Sequence, residues 1–222
     1  MEDDTRESAW AGREGGDWAA LYRDQDTAAD YDRRFRGRRG RWNQNRIWHC
    51  LAKELKQLGW PELVIDAPGG TGRFTENLAA QGVTVLHLDR SAAMLQVAAG
   101  RGGKHWELVA DLRHPPIERR TEAVVLCFRL MQHLDAKERV EALTGLRQMA
   151  AKAIVAYYPG WHYKDALRRW RHRLGLPHRS LRPKLRRADL IAEAERAGWR
   201  MLRLRKVLPL LSENVLLVLD SD

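Results

Sequence analysis

Cysteine is scarce in this chain. Its 222 residues hold two, Cys50 and Cys127. Both stand in apolar surroundings and read as small core residues, which excludes a disulfide framework and leaves no metal-ligand spacing that involves them. A long apolar run is lacking too, so nothing in the sequence is fit to span a bilayer. The first residues are acidic and polar and do not resemble a leader, and the expectation is a reduced, cytoplasmic protein. No internal repeat is visible. The length suits one α/β domain with a core large enough to stand without staples, and it leaves little room for a second.

Acidic charge falls short of basic charge by a net +10, and the imbalance is local. Residues 1–30 carry nine acids against three arginines, residues 31–46 carry seven arginines against Asp32 alone, and residues 164–187 hold ten Lys or Arg and only Asp165. Basic blocks of this kind point either to an anionic partner or substrate or to a solvated basic face.

Residues 1–16 are charged, contain glycine and have few apolar side chains, a composition that predicts disorder. A short helix is expected over Trp18–Asp30. Ile47, Trp48, Leu51, Leu55 and Leu58 recur at three and four, predicting an amphipathic helix over Asn45–Leu58 closed by Gly59 and Pro61. Strands and helices then alternate. Strands are expected at Leu63–Ala67, Val83–Asp89, Trp106–Ala110, Ala123–Phe128 and Ala153–Tyr158. Helices are expected at Arg73–Gln81, from the Ser91 cap to about Ala99, and at Ala136–Ala150. A basic helical insert follows, then a helix over Arg187–Ala197 and two strands, Arg200–Leu208 and Asn214–Leu219. Repeated strand-helix-strand units predict a parallel sheet covered on both faces, and the short link between the last two strands fits an antiparallel pair. The organisation expected is an extension over 1–44, partly disordered and then helical, and a domain over 45–222 with the insert at 160–186.

The first strand ends in an acid and breaks into glycines: Val64-Ile-Asp-Ala-Pro-Gly-Gly-Thr-Gly-Arg-Phe74. Such a loop turns tightly, admits a ligand close to the backbone, and aims the free N–H groups of the next helix at it. Gly70 and Gly72 are not followed by the third glycine of a nicotinamide or flavin loop, and no Lys-Ser/Thr pair follows to hold a triphosphate. Two further strands also close on aspartate, so Asp66, Asp89 and Asp111 stand 23 and then 22 residues apart. An acid about twenty residues beyond the loop can accept both hydrogen bonds of a ribose diol, a role for Asp89. Asp111 is placed to accept from an exocyclic adenine amine.

Over roughly Asn45–Leu219 the sequence resembles the class I S-adenosylmethionine-dependent methyltransferases. Asp66-Ala-Pro-Gly-Gly-Thr-Gly-Arg73 resembles their first motif, Leu88-Asp-Arg-Ser-Ala-Ala-Met-Leu95 their second, Ala110-Asp-Leu112 their third, and Val124 to Leu134 the segment that ends the fourth strand. Arg34-Phe-Arg-Gly-Arg38 and the Phe128–His133 stretch bring it nearest to a bacterial subgroup. The resemblance implies a Rossmann-like, doubly wound, seven-stranded mixed sheet with its last strand antiparallel, and S-adenosylmethionine as cofactor. It places Asp66, Ala67, Pro68, Gly69, Gly70 and Gly72 in the cofactor loop, with Gly70 and Gly72 against the methionine part. Asp89 falls at the ribose, Arg90 is counted among the cofactor residues beside it, and Asp111, Leu112 and Met94 fall around the adenine. Phe128 and Arg129 fall on the floor near the transferred methyl. Pro68 and Gly69 stand where the family has Gly and Cys, a departure expected to alter affinity while the turn survives.

Methyl transfer from a sulfonium is a direct displacement, so the protein must align the nucleophile and exclude water. A general base is optional. His133, just past the fourth strand, is the candidate, and the alternative is a cap or packing residue of the turn that follows. Metal-dependent catechol-type transfer would want acids where Cys127-Phe-Arg129 and Tyr157-Tyr-Pro159 stand, so no metal is expected. The Asp/Asn-Pro-Pro-Tyr/Phe tetrad of amino-methylating DNA enzymes is absent, and so is the Tyr-x-x-x-Lys pair of an oxidoreductase.

In the insert, the helix-spaced Tyr163, Lys164, Leu167, Trp170 and Leu174 put an apolar stripe beneath Arg168, Arg169, Arg171 and Arg173. That helix could be a lid, lie on an anionic membrane surface or meet a partner, and the default is packing over the sheet edge. With Arg33, Arg34, Arg36 and Arg38 it could line an anion pocket, for which Arg36, Tyr158 and Arg168 are the acceptor-binding candidates. The function expected is metal-independent transfer to a small or glycan-linked anionic acceptor, on oxygen. RNA or protein methylation with the basic segments as footprint stands second, and a non-catalytic cofactor-binding partner module third. The acceptor's identity and the oligomeric state are not written in the sequence.

Overall fold

The computed structural model describes residues 37–158, 163–176, 185–207 and 214–222, with the side chains of residues 39, 163–165 and 168 also outside the description. The N-terminal segment to Arg36, including the helix expected at Trp18–Asp30, therefore lies outside the described residues.

In chain order the elements are α1 (Arg38–Gln57), β1 (Leu63–Asp66), α2 (Thr75–Ala79), β2 (Thr84–Asp89), α3 (Ala92–Ala99), β3 (His105–Val109), β4 (Arg120–Cys127), a 3-10 turn (Met131–His133), α4 (Ala136–Met149), β5 (Ala150–Tyr157), α5 (Tyr163–Arg173), α6 (Arg187–Arg196), β6 (Arg200–Lys206) and β7 (Val215–Asp220). The strands form one seven-stranded sheet in the order β3-β2-β1-β4-β5-β7-β6. Pairing is parallel from β3 to β5, while β7 runs antiparallel to both β5 and β6. This is the expected Rossmann-like, doubly wound mixed sheet.

Both sheet faces are apolar because the central strands bury alternate residues on opposite sides. Val64, Val85, Leu126, Ile154 and Val218 pack with Ile47, Leu51 and Leu55 of α1 and Leu78 of α2. Ile65, Val125, Val155 and Leu217 pack with Leu143 and Leu146 of α4 and Leu190 and Ala194 of α6. Two buried ionic knots tie helices to this frame. Arg139 of α4 donates to both carboxylate oxygens of Glu193 on α6 and to the carbonyl of Leu134, and the Tyr157 hydroxyl donates to Glu193. Glu54 of α1, wholly buried, accepts from Arg203 and Arg205 on the edge strand β6.

The differences from expectation lie at element ends. α1 starts at Arg38, seven residues before the apolar periodicity shows itself, so a boundary at 44/45 falls inside a helix. Apart from Trp42, which is exposed, its first turns are polar and present no apolar periodicity. α2 is only Thr75–Ala79, because a further turn of the loop, closed by Thr75 N–H to the Gly72 carbonyl, takes up Arg73 and Phe74. β4 begins at Arg120, three residues early, where Arg120, Thr121 and Glu122 are exposed.

Candidate functional site

Four strands deliver their carboxyl ends to one cavity of about 400 Å³, the size range of a small-molecule site. The order β3-β2-β1-β4 sets Asp111, Asp89, the glycine loop and the Phe128-Arg129 corner side by side in that sequence. At about 4.8 Å per strand the row is roughly 14 Å long, room for a nucleoside with an extended tail.

The loop begins with a buried acid. Burial raises the pKa of Asp66 above the ordinary carboxylate value, opposed by His87 and Arg73. The His87 Nδ1 stands 3.7 Å from Asp66 Oδ2. On its other side the ring is fixed by Thr75. The Thr75 hydroxyl donates to the Gly72 carbonyl at 2.8 Å, so its oxygen accepts from His87 Nε2 at 2.9 Å. That bond sets the tautomer and leaves Nδ1 toward the acid.

The Gly69 half of the Pro68-Gly69 departure is explained by the same histidine. A Cβ on Gly69 would lie 2.9 Å from His87 Cβ and 3.0 Å from both His87 Nδ1 and the Asp66 carbonyl. The imidazole therefore fills the space a side chain at position 69 would need. Pro68 follows a cis bond and lines the cavity with Gly69, Gly70 and Thr71. Gly70 has φ +54° with open space where a Cβ would be, and its N–H donates to Asp89 Oδ2 at 2.9 Å.

Asp89 is clamped from two sides, since Ser91 N–H donates to Oδ1 at 2.9 Å. Burial pushes its pKa up, the two backbone donors pull it down, and neighbouring Asp66 adds to the rise. Asp111 is burdened by burial but overcome by Arg113, whose side chain grips both carboxylate oxygens and whose N–H donates to Oδ1, so its pKa is lowered. Arg90 Nε stands 4.0 Å from the same carboxylate. The Asp111 loop is pressed against α4, where a Cβ on Gly145 would fall 2.0 Å from the Leu112 carbonyl.

At the β4 end, Arg129 has φ +62°, a strained backbone for a non-glycine residue, costing on the order of 1–3 kcal/mol and typical of sites where geometry is held for function. Phe128 meets Phe74 edge to face at 5.0 Å, and Arg73 lies over the Phe74 ring. His133 closes the 3-10 turn. Gln132 Nε2 donates to the Arg129 carbonyl at 2.7 Å and lies 2.9 Å from His133 Nε2, which therefore accepts. The Nε2 lone pair is thus engaged in this structure, and His133 must release that bond to take a proton there.

Of the expected cofactor residues, Asp66, Pro68, Gly69, Gly70, Asp89, Arg90, Met94, Asp111, Leu112, Phe128 and Arg129 line the cavity, as does His133. Ala67 and Gly72 do not. Ala67 is wholly buried with its N–H on the Leu126 carbonyl. Gly72 supports the loop from behind, for a Cβ there would meet Thr75 Oγ1 at 2.7 Å and Ala98 at 3.1 Å. Tyr158 is half-buried just past β5 and is not part of the lining. Arg36 and the Arg168 side chain lie outside the described residues. Sequence reasoning passed over Arg73, Arg113 and Glu138 as lining residues. Arg73 and Arg113 could have been found as the cations one and two positions beyond a loop glycine and a strand-end acid. Among the described residues no three His, Cys, Asp or Glu side chains converge as a metal site, and no helix is long and apolar enough to cross a membrane.

Comparison with known proteins agrees with this geometry. Residues 64–152 match the family model described as "Methyltransferase domain". A demethylmenaquinone methyltransferase of Thermobifida fusca (strain YX) is 29% identical over 142 residues, 60% of this chain and 60% of that protein, so the likeness spans about three-fifths of the relative's length. Among solved structures, a magnesium protoporphyrin IX methyltransferase from Synechocystis PCC 6803 with bound SAH superposes with a TM-score of 0.70 at 17% identity, covering 92% of this chain and 99% of that one. A putative O-methyltransferase from Nostoc punctiforme PCC 73102 gives 0.68 at 16%, covering 99% and 67%.

Proposed function

We propose, from a methyltransferase domain over residues 64–152 set in the Rossmann-like fold of such enzymes, that this chain moves the methyl group of S-adenosylmethionine to an anionic small or glycan-linked acceptor, on oxygen and without a metal. The observation that carries the reading is the single row of Asp111, Asp89, Gly70 and Arg129 along one cavity. The residues present fit that cofactor. Asp89 offers a carboxylate already held in place by two N–H groups, and Gly70 leaves its backbone unobstructed. When bound, the cofactor supplies an electrophilic methyl on a sulfonium.

The chain's own part is placement. Leu112, Met94 and Ala110 give the adenine end apolar walls, Asp89 holds the ribose, and Phe128 with Phe74 excludes water near the reacting centre. Arg73 and Arg129, which line the cavity, supply positive charge toward an anionic acceptor. We assign Arg36, Tyr158 and Arg168 to the same acceptor on the sequence pattern alone, with the Arg34–Arg38 segment contributing further cations. His133, released from Gln132, is the base for a hydroxyl acceptor, worth on the order of 10² to 10⁴ in rate. Cys127-Phe-Arg129 and Tyr157-Tyr158 at the ends of β4 and β5 support transfer without a metal, and the two thiols suit a cytoplasmic setting.

The test is S-adenosylhomocysteine release across paired acceptors, each anionic hydroxyl compound matched with its neutral ester, with and without EDTA. Turnover confined to the anionic member and indifferent to EDTA is expected. Preference for the neutral member, or turnover only on RNA or protein, would overturn the acceptor assignment.

A further inference from the structure

The insert helix α5 shows an arrangement that packing against the sheet does not account for. It begins just after β5, whose carboxyl end shares the sheet end where the cavity lies. A helix packed over a sheet edge buries its apolar stripe. Here Leu167 is 51% exposed and Trp170 57%, and Leu174, in the turn that closes the helix with its N–H on the Trp170 carbonyl, is 54% exposed. The expected default of a packed helix is therefore not what the structure shows.

Leu167, Trp170 and Leu174 recur at three and four and so share one side of the helix. Arg171 and Arg173, both exposed, flank that stripe on either side by the same spacing, with Arg169 and His172 behind. Across residues 164–187 there are ten Lys or Arg and a single acid, Asp165. Leucine and tryptophan on one face, arginines bordering it and low overall hydrophobicity describe a helix that lies in a membrane interface: the apolar side chains enter, and the arginine stems extend along the boundary toward headgroups. Clustered cations on such a helix match an anionic leaflet in particular. A protein groove would be expected to offer acids and a closed apolar surface, and a nucleic acid would leave the Leu167-Trp170-Leu174 stripe without a partner.

We propose that α5 docks this protein on an anionic lipid surface, with the cavity end of the sheet turned toward the membrane. The three-turn helix, about 16 Å long, lies along the surface and does not cross it. The docking stands on α5 alone. That the cavity thereby meets membrane-borne acceptors rests on the methyl-transfer reading above.

The test is co-sedimentation of the full chain with vesicles of phosphatidylcholine, alone or mixed with phosphatidylglycerol. Binding to the mixed vesicles is expected, with at least tenfold weaker partitioning on phosphatidylcholine alone and in high salt. Trp170→Asp/Leu174→Asp and Arg169→Glu/Arg171→Glu should each lower partitioning about tenfold or more while S-adenosylmethionine affinity stays at the wild-type value, which shows that the fold is intact. Equal binding to both vesicle types, or variants that bind like wild type, would overturn the proposal. So would RNA binding with no vesicle binding. Failure of the methyl-transfer reading would appear instead as absent cofactor binding with vesicle binding retained.

Discussion

Gly69 and His87 are expected to be energetically coupled, and the coupling can be measured. Gly69 has an ordinary backbone, so Gly69→Ala adds only a methyl, and that methyl would meet His87 Cβ at 2.9 Å and the Asp66 carbonyl at 3.0 Å. Neither neighbour can yield freely: the carbonyl is backbone, and the wholly buried imidazole is held by Thr75. Overpacking of this kind costs about 1–3 kcal/mol. His87→Gly removes the Thr75 partner together with the imidazole and the Cβ that stands 2.9 Å from the new methyl, a loss of about 1–3 kcal/mol. With both changes the new methyl occupies the vacated space, so the double variant should recover at least about 1 kcal/mol relative to the sum. Urea denaturation of the four proteins supplies the cycle. Calorimetric titration with S-adenosylmethionine should show Gly69→Ala weakening binding and the double variant regaining part of it. Additivity within about 0.5 kcal/mol would refute the account of why glycine stands at 69.

Gly145→Ala puts a methyl 2.0 Å from the Leu112 carbonyl. It should displace the Asp111 loop, weakening cofactor binding about tenfold or more in the same titration. Arg139→Ala leaves Glu193 buried and Leu134 without its donor, and thermal unfolding should register a loss of about 3–5 kcal/mol. Asp66 has its folded pKa raised by burial, so the native chain binds that proton more tightly than the unfolded one. Its contribution to stability is present at low pH and is lost as pH rises from about 4 through the raised folded value. Asp66→Asn should therefore be more stable than wild type near neutrality, and the advantage should vanish on acidification. A constant difference across pH would contradict the assignment.

Much of the site was legible because its signals are local. A strand, an acid and a glycine turn are adjacent in sequence, and Asp89 and Asp111 recur at the next two strand ends because each parallel unit returns the chain to the same end of the sheet. Relations between distant residues were not legible. Nothing near Gly69 announces that His87 fills its space, and Arg139 meets Glu193 only because α4 and α6 share a sheet face. Glu54 reads as a surface acid of an amphipathic helix until β6 supplies Arg203 and Arg205. The exposure of Leu167 and Trp170 on α5 is likewise a matter of tertiary placement, which periodicity does not report.

The central claim is that S-adenosylmethionine occupies the cavity with its ribose on Asp89. Isothermal titration of wild type and Asp89→Ala with the cofactor tests it most directly. Binding at one site per chain, weakened about 10- to 100-fold by loss of a charged hydrogen-bond acceptor, is the predicted result. No binding to wild type, or equal binding to both proteins, would contradict it.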